Sequence, residues 1–444
     1  MEKQIPPERQ RNWGIDALRM VATIMVLVLH ILNLGKVLQF CPQGSMRYIG
    51  GTVAMAATYC TVNCYGLISG YVGLNSRYRY SKLALLWVQV VFYNLLGLVV
   101  GLFMWPEKVT LRRLLTSFLP VMSDYYWYFT AYFATFLLVP IFNKGLQSLT
   151  RRQARVLSVI IVFIFTVFPT VLAKDTFSLQ RGYTMLWLSL LYILGGCMRR
   201  GEIFTGRPKW LLLLGYGLCV AVAAIPRLIW DTDSFHVLGL DYSGRILTEY
   251  VSPPILLCAM ILLAVFAGIK IKNPKVQKVI RVLAPASFGI YIFHMQFDVL
   301  NLIFRLPLFR WISWQPAPLM LLLVLLTAVV LYLIFAVVEK LRQQLFAALK
   351  IQKGLDKLEE AVATLFPKDH QPYGQILTNQ RQEEAARRAR EAVSRARAAV
   401  ELGITPDALL LDVEEAMAAL GELTGQSVRD DITDRIFQRF CVGK

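Results

Sequence analysis

Charge is scarce in this sequence of 444 residues: Asp, Glu, Lys and Arg make up 17% of it, where a soluble globular domain carries about a quarter. That shortage, in a chain that is 56% apolar, excludes disorder and argues against an ordinary soluble globule. Histidine is rarer still, at 4 residues, and the 7 cysteines form no Cys-x-x-Cys pair or Cys/His cluster with zinc spacing. Neither a metal site nor a disulfide scaffold is therefore expected, and every cysteine except Cys441 reads as a small buried hydrophobe. A Gly-x4-Gly-Lys-Ser/Thr phosphate loop is missing, so GTP is not expected as a ligand. A short cleavable leader is not expected either. The first apolar run is long, follows Arg9 and Arg11, and reads as a retained signal anchor.

What is present is a series of long apolar runs. A bilayer core takes about 20 residues of helix. Candidate spans lie near 15–34, 52–72, 83–103, 125–142, 155–173, 182–198, 210–229, 249–268, 282–302 and 317–338. The expectation is an all-α polytopic membrane protein with about ten transmembrane helices and a small soluble C-terminal helical segment. Pro253-Pro254 predicts a break or kink in the eighth span.

The charge that exists is unevenly placed. Residues 1–353 hold 35 Lys and Arg against 13 Asp and Glu, while residues 354–444 hold 12 against 16. Between the spans, 23 basic residues fall in one set of segments and 10 in the alternate set. The excess marks the cytoplasmic side, which places both termini in the cytoplasm of a cell with this protein in its plasma membrane. Lys108, Arg112 and Arg113 fit that assignment least well. The basic excess then sets topology and attracts the headgroups of the lipid bilayer, and nucleic acid is not expected as a partner of the membrane part.

Ionisable groups inside a membrane are costly and mark function. Arg19 and His30 lie 11 residues apart in the first span. That spacing puts them on one helix face, about 16 Å apart along the axis. A phosphate-bearing donor resting near Arg19 could carry its reactive end on a thin arm toward His30. Neutral imidazole there could act as general base on an acceptor hydroxyl or carry the acyl group itself. His294, in the ninth span, should sit at a similar depth and could line the same cavity. The run Tyr125–Tyr132, with Trp127 and Tyr132, offers either an interfacial aromatic belt or a stacking surface for a sugar-like acceptor. Leu67-Ile68-Ser69-Gly70-Tyr71 offers small residues for close helix packing.

These stretches together resemble the acyltransferase-3 family of integral membrane acyltransferases. The carriers are Asp16-x-x-Arg19 with Arg19-x10-His30, then Leu67–Tyr71, Tyr126–Tyr132, Tyr192-Ile193-Leu194-Gly195-Gly196, Phe288–His294 and Glu339-Lys340-Leu341-Arg342, in the family's order. The resemblance implies ten helices over a domain at 1–346. It implies transfer of an acyl group, commonly acetyl from acetyl-CoA, to hydroxyls of surface glycans or similar envelope acceptors. It makes Arg19 and His30 the essential pair, with Asp16, Ser69, Trp127, Tyr132 and His294 as candidate substrate-lining residues. A related membrane module fronts certain serine racemases, where amino-acid transport is suggested, so a small-solute transporter stays open as an alternative.

A junction at 347–353 leads to a tail at 354–444, where Gly354–Phe366, Thr378–Leu402, Pro406–Leu420 and Asp430–Phe440 are expected as helices. Thr405-Pro406 is a helix-start signal. So short a bundle has a limited core, and its apolar faces suit a helical partner. The stretches Ile376–Arg381, Ala419–Gly425 and Ile432–Lys444 resemble the C-terminal end of the MnmE family of tRNA-modification GTPases, which implies that Cys441 is the family's functional cysteine. Without a phosphate loop the tail is expected to be a remnant with no GTPase activity. A tRNA-modification role, the remaining alternative, would need a GTPase from another chain.

Overall fold

The computed structural model of the chain describes residues 11–76, 78–123, 125–229, 234–237, 240–365, 380–403 and 406–424. It divides into two compact units, Met1–Val362 and Ala363–Lys444.

The first unit is helical almost throughout. It opens with α1 (Trp13–Asn33), α2 (Met46–Thr58), α3 (Thr61–Gly73), α4 (Tyr80–Met104), α5 (Leu111–Ser117) and α6 (Trp127–Ser148). Next, α7 (Arg151–Val162) passes through a π-helical turn at Phe163–Val167 into α8 (Phe168–Val171). Then come α9 (Met185–Gly201) and α10 (Lys209–Ile229), and a two-stranded hairpin of β1 (Ser234–Val237) and β2 (Leu240–Ser243). The unit continues with α11 (Pro253–Ala267), α12 (Pro274–Leu283), α13 (Ser287–Met295), α14 (Phe297–Phe304), α15 (Leu308–Ser313), α16 (Ala317–Ala348) and most of α17 (Ile351–Leu365).

Among the described residues, eight helical stretches are long and apolar enough to cross a membrane: Trp13–Asn33, Tyr80–Met104, Trp127–Ser148, Arg151–Val171, Lys209–Ile229, Ile246–Ala267, Pro274–Met295 and Ala317–Ala348. The other two expected spans are helical but shorter. The run 52–72 is divided at Tyr59–Cys60 between α2 and α3, and α9 has 17 residues. Pro253-Pro254 does not break a helix, as the sequence led us to expect. Both prolines sit in the first turn of α11, with Ser252 before them, where the missing N–H costs nothing. The break comes later, at Gln296, whose extended backbone separates α13 from α14 and whose side chain accepts from the N–H groups of Asp298 and Val299.

Burial ranks the helices. The most apolar window of Ile246–Ala267 is 72% buried, against 28% for that of Ala317–Ala348, so α11 is central and α16 presents much of its surface to lipid. One core cluster joins α1, α3, α9 and α11 around Trp187, and a second joins α1, α2, α13 and α16 around Tyr332. The expected close packing of small residues is present. A Cβ on Gly70 of α3 would lie 1.8 Å from the Tyr192 carbonyl oxygen, and one on Gly195 of α9 would lie 2.1 Å from that of Leu67.

The structure gives the ill-fitting basic segment local partners. Arg113 ion-pairs with fully buried Asp298 at 2.7 Å, and the Lys108 ammonium lies over the Trp105 ring.

At the other end of α4, Arg79 supplies no side-chain cap. Carboxylates of α17 do so instead: Tyr80 N–H donates to Glu359 Oε1 at 2.8 Å, Ser81 N–H to Glu359 Oε2 at 3.3 Å, and Ser81 Oγ to Asp356 Oδ1 at 2.7 Å.

The second unit contains α18 (Gln380–Glu401) and α19 (Pro406–Thr424). Ala385, Ala389, Ala392, Ala396 and Ala399 form a helical stripe on α18, buried together with Ala416 and Ala419 of α19. Arg388 pairs with Glu422, and Arg395 with Asp412 and Glu415, so the two helices run antiparallel. The expected helix at Asp430–Phe440 lies outside the described residues.

Candidate active site

Asn12 caps α1 by accepting from Ile15 N–H, which fixes the rotation of the helix that follows. Its residues Arg19, Thr23, Val26 and His30 recur at intervals of four, three and four, so they form one stripe. That stripe lines a cavity of about 440 Å³. From α3 come Thr61, Val62, Tyr65 and Ser69; from α6, Trp127, Tyr128 and Tyr132; from α13, Ser287, Phe288, Tyr291 and His294. Every membrane-domain site residue named from the sequence (Asp16, Arg19, His30, Ser69, Trp127, Tyr132 and His294) lines this one cavity.

The Arg19 end is built around Asp16, whose two oxygens pair with Arg11 and Arg19. Thr23 Oγ1 donates to the Arg19 carbonyl at 2.8 Å and meets Tyr65 Oη at 2.6 Å. At the other end, His30 Nδ1 lies 2.9 Å from His294 Nε2, and His294 Nδ1 lies 2.8 Å from the Ile290 carbonyl oxygen. His294 is 1% exposed and sits one residue before the end of α13, so the break at Gln296 fixes where its ring stands. Beside the cavity, Trp127 stacks on Tyr250 with centroids 6.0 Å apart and meets Tyr183 at 4.5 Å. The Thr61 hydroxyl is buried and has no hydrogen-bond partner among the described residues.

Thr61, Tyr65, Ser287 and Tyr291 were not singled out from the sequence. Tyr65 and Thr61 precede Ser69 by four and eight residues, so helical spacing alone could have found them. Tyr250 carried no such signal. It precedes α11 and is placed by Asn63, whose amide donates to its carbonyl at 2.7 Å across 187 residues of sequence. Cys41, Cys60, Cys64, Cys197 and Cys258 are buried free thiols, and Cys219 is half-buried. Cys441 lies outside the described residues. No cluster that could hold a metal occurs among the described residues.

Two families match the chain, and their matches overlap at residues 330–337 within α16. Residues 12–337 match the acyltransferase domain of the acyltransferase-3 family, and residues 330–441 match the MnmE helical domain. The tRNA modification GTPase MnmE of Roseiflexus castenholzii is 41% identical over 93 residues, which is 21% of this chain and 20% of that protein. MnmE of Symbiobacterium thermophilum is 39% identical over 92 residues, 21% of this chain and 20% of that protein. MnmE of Natranaerobius thermophilus is 34% identical over 113 residues, 24% of each chain. The chain thus spans about a fifth to a quarter of the length of these curated relatives. No solved structure matches the chain. With the match over 12–337 covering most of its length, and with apolar helices around a cavity that holds Asp16, Arg19, His30 and His294, the chain belongs to the acyltransferase-3 family and is a multi-pass membrane acyltransferase.

Proposed function

We propose that this acyltransferase moves an acyl group, acetyl first among candidates, from cytoplasmic acyl-CoA to a hydroxyl of a cell-surface glycan or similar envelope acceptor. It does so in the plasma membrane, with both termini cytoplasmic. The observation that supports this best is the single cavity with Arg19 toward one end and His30 at the other. Along α1 their separation is about 16 Å at 1.5 Å per residue, which suits a phosphate held by Arg19 and a thin thioester arm reaching His30. Val26, Leu29, Val62 and Leu86 give the cavity an apolar wall that excludes water from the thioester.

The hydrogen bonds support one arrangement of the protons. A backbone carbonyl only accepts, so the hydrogen on His294 sits on Nδ1, facing Ile290. In the neutral ring Nε2 then carries the lone pair and accepts from His30 Nδ1. His30 is left with its own lone pair on Nε2. That nitrogen takes the proton of the acceptor hydroxyl as the oxygen attacks the thioester carbonyl. The carbon–sulfur bond breaks, and His30 returns the proton to the leaving thiolate. The products are the ester and free CoA. The unpartnered Thr61 hydroxyl is available to a bound substrate, and Trp127 with Tyr250 offers flat apolar faces to a sugar ring.

Thioester dependence tests this reading. Membranes containing the protein, given radiolabelled acetyl-CoA, should place label in envelope glycans. A transporter would work without thioester and yield no acylated product, and that outcome would overturn the proposal. GTP binding and tRNA modification are not proposed for the tail.

A further inference from the structure

A second and larger cavity, about 850 Å³, lies apart from the first, between α7, the turn that follows α9, α10 and α11. Its walls face outward. Val159 of α7 is 68% exposed, Phe163 of the π-helical turn that follows is 58% exposed, and Leu211 of α10 is 43% exposed, which in a membrane means exposure to lipid tails. The π-helical turn begins at Phe163, so the register of α7 changes along this wall.

One end of the groove is basic. Arg155 spends its Nε on the Gly201 carbonyl at 2.7 Å, leaving the two terminal nitrogens of its guanidinium. Arg207 makes no side-chain hydrogen bond or ion pair among the described residues. The one carboxylate nearby, Glu202, is engaged by Arg151 at 2.5 Å. The Arg155 and Phe163 positions are eight residues apart, so the basic end and the apolar wall are separated by about 12 Å along α7 at 1.5 Å per residue. A cationic pocket joined to an apolar trough opening into lipid is complementary to an amphiphile with an anionic head.

We propose that this groove binds one anionic phospholipid, with its phosphate between Arg155 and Arg207 and an acyl chain along Val159, Phe163 and Leu211. The site is separate from the acyl-transfer cavity, and its occupancy does not depend on the reaction assigned there.

The test is native mass spectrometry of the full chain, stripped with detergent and reconstituted in nanodiscs of equal phosphatidylglycerol and phosphatidylcholine. The wild type should retain one phosphatidylglycerol at least tenfold over phosphatidylcholine. Arg207→Gln should reduce that preference, and the double change with Arg155→Gln should abolish it. Arg152→Gln, outside the groove, should leave it intact. Val159→Trp fills the trough without touching charge and should lose the bound lipid altogether. Equal retention of the two lipids by the wild type, or an unaltered preference in Arg207→Gln, would overturn the proposal. Retention in Val159→Trp would overturn the placement of the chain.

Discussion

At the residue scale the account rests on two imidazoles. In the proposed mechanism His30→Ala removes the base, and it should lower the chemical step about 10²- to 10⁴-fold. His294 contributes differently. It touches His30, and in the proposed mechanism its tautomer sets which nitrogen of His30 keeps its lone pair. Losing such an orienting partner costs on the order of 10- to 100-fold. His294→Phe should therefore lower kcat with little change in KM, and His294→Gln, whose amide oxygen can accept from His30 Nδ1, should recover much of the loss. Equal damage by Phe and Gln, with KM raised in both, would point to His294 as a packing residue. Arg19 makes a separate prediction. Arg19→Lys keeps the charge but loses the guanidinium, which holds Asp16 through one nitrogen and leaves others for a phosphate, so KM for acyl-CoA should rise more than kcat falls. The pairing of Arg19 and His30 on one face was legible in the sequence because helical periodicity is local. The contact between His30 and His294 spans 264 residues of sequence, and spacing within each helix sets no distance between helices.

At the scale of elements, packing and capping decide the shape. Gly70 and Gly195 let α3 and α9 approach until each Cα position faces the other helix's backbone carbonyls. A methyl group there has no flexible neighbour to displace. Gly70→Ala should thus cost at least the 1–3 kcal/mol typical of an overpacked core, read as a lower Tm in detergent. The docking of α17 on α4 makes a prediction about pH. Hydrogen bonds from Ser81 and Gln352 hold Asp356 below its ordinary value of 3.8. Burial pushes Glu359 upward, but the hydrogen bonds from Ser81 and from the backbone of Tyr80 and Ser81, with Arg79 nearby, outweigh it and leave Glu359 below 4.5. Both groups have depressed folded-state values. Their contribution is complete above the ordinary carboxylate range and is lost as pH falls through the lowered values. Amide exchange at Tyr80 and Ser81 should accelerate as pH drops below about 4, relative to a Glu359→Gln/Asp356→Asn variant whose capping no longer titrates. An identical profile in both proteins would remove α17 as the cap of α4. Element boundaries were only partly legible. The division at Tyr59–Cys60 carries no proline or glycine to announce it, and Pro253-Pro254 announces a break where the chain instead begins a helix. Both outcomes follow from tertiary placement, which a local signal does not encode.

At the scale of the molecule, the chain joins an acyltransferase domain matched over residues 12–337 to a stretch matched by the MnmE helical domain over residues 330–441. The second unit buries an alanine seam and crosses it with Arg–Glu and Arg–Asp pairs, and such exposed pairs contribute little each. The cavity residues all belong to the first unit. A chain ending at Val362, which keeps the carboxylates that cap α4, should retain full acyl transfer; one ending before Ile351 should be less stable, read as a lower Tm.

The most direct test of the central claim compares label transfer from radiolabelled acetyl-CoA into envelope glycans by wild type, His30→Ala and His294→Gln at matched levels in membranes. The account predicts strong transfer by the wild type, a reduced but clear signal for His294→Gln, and loss of at least 10²-fold for His30→Ala. Transfer by His30→Ala at the wild-type rate would contradict it.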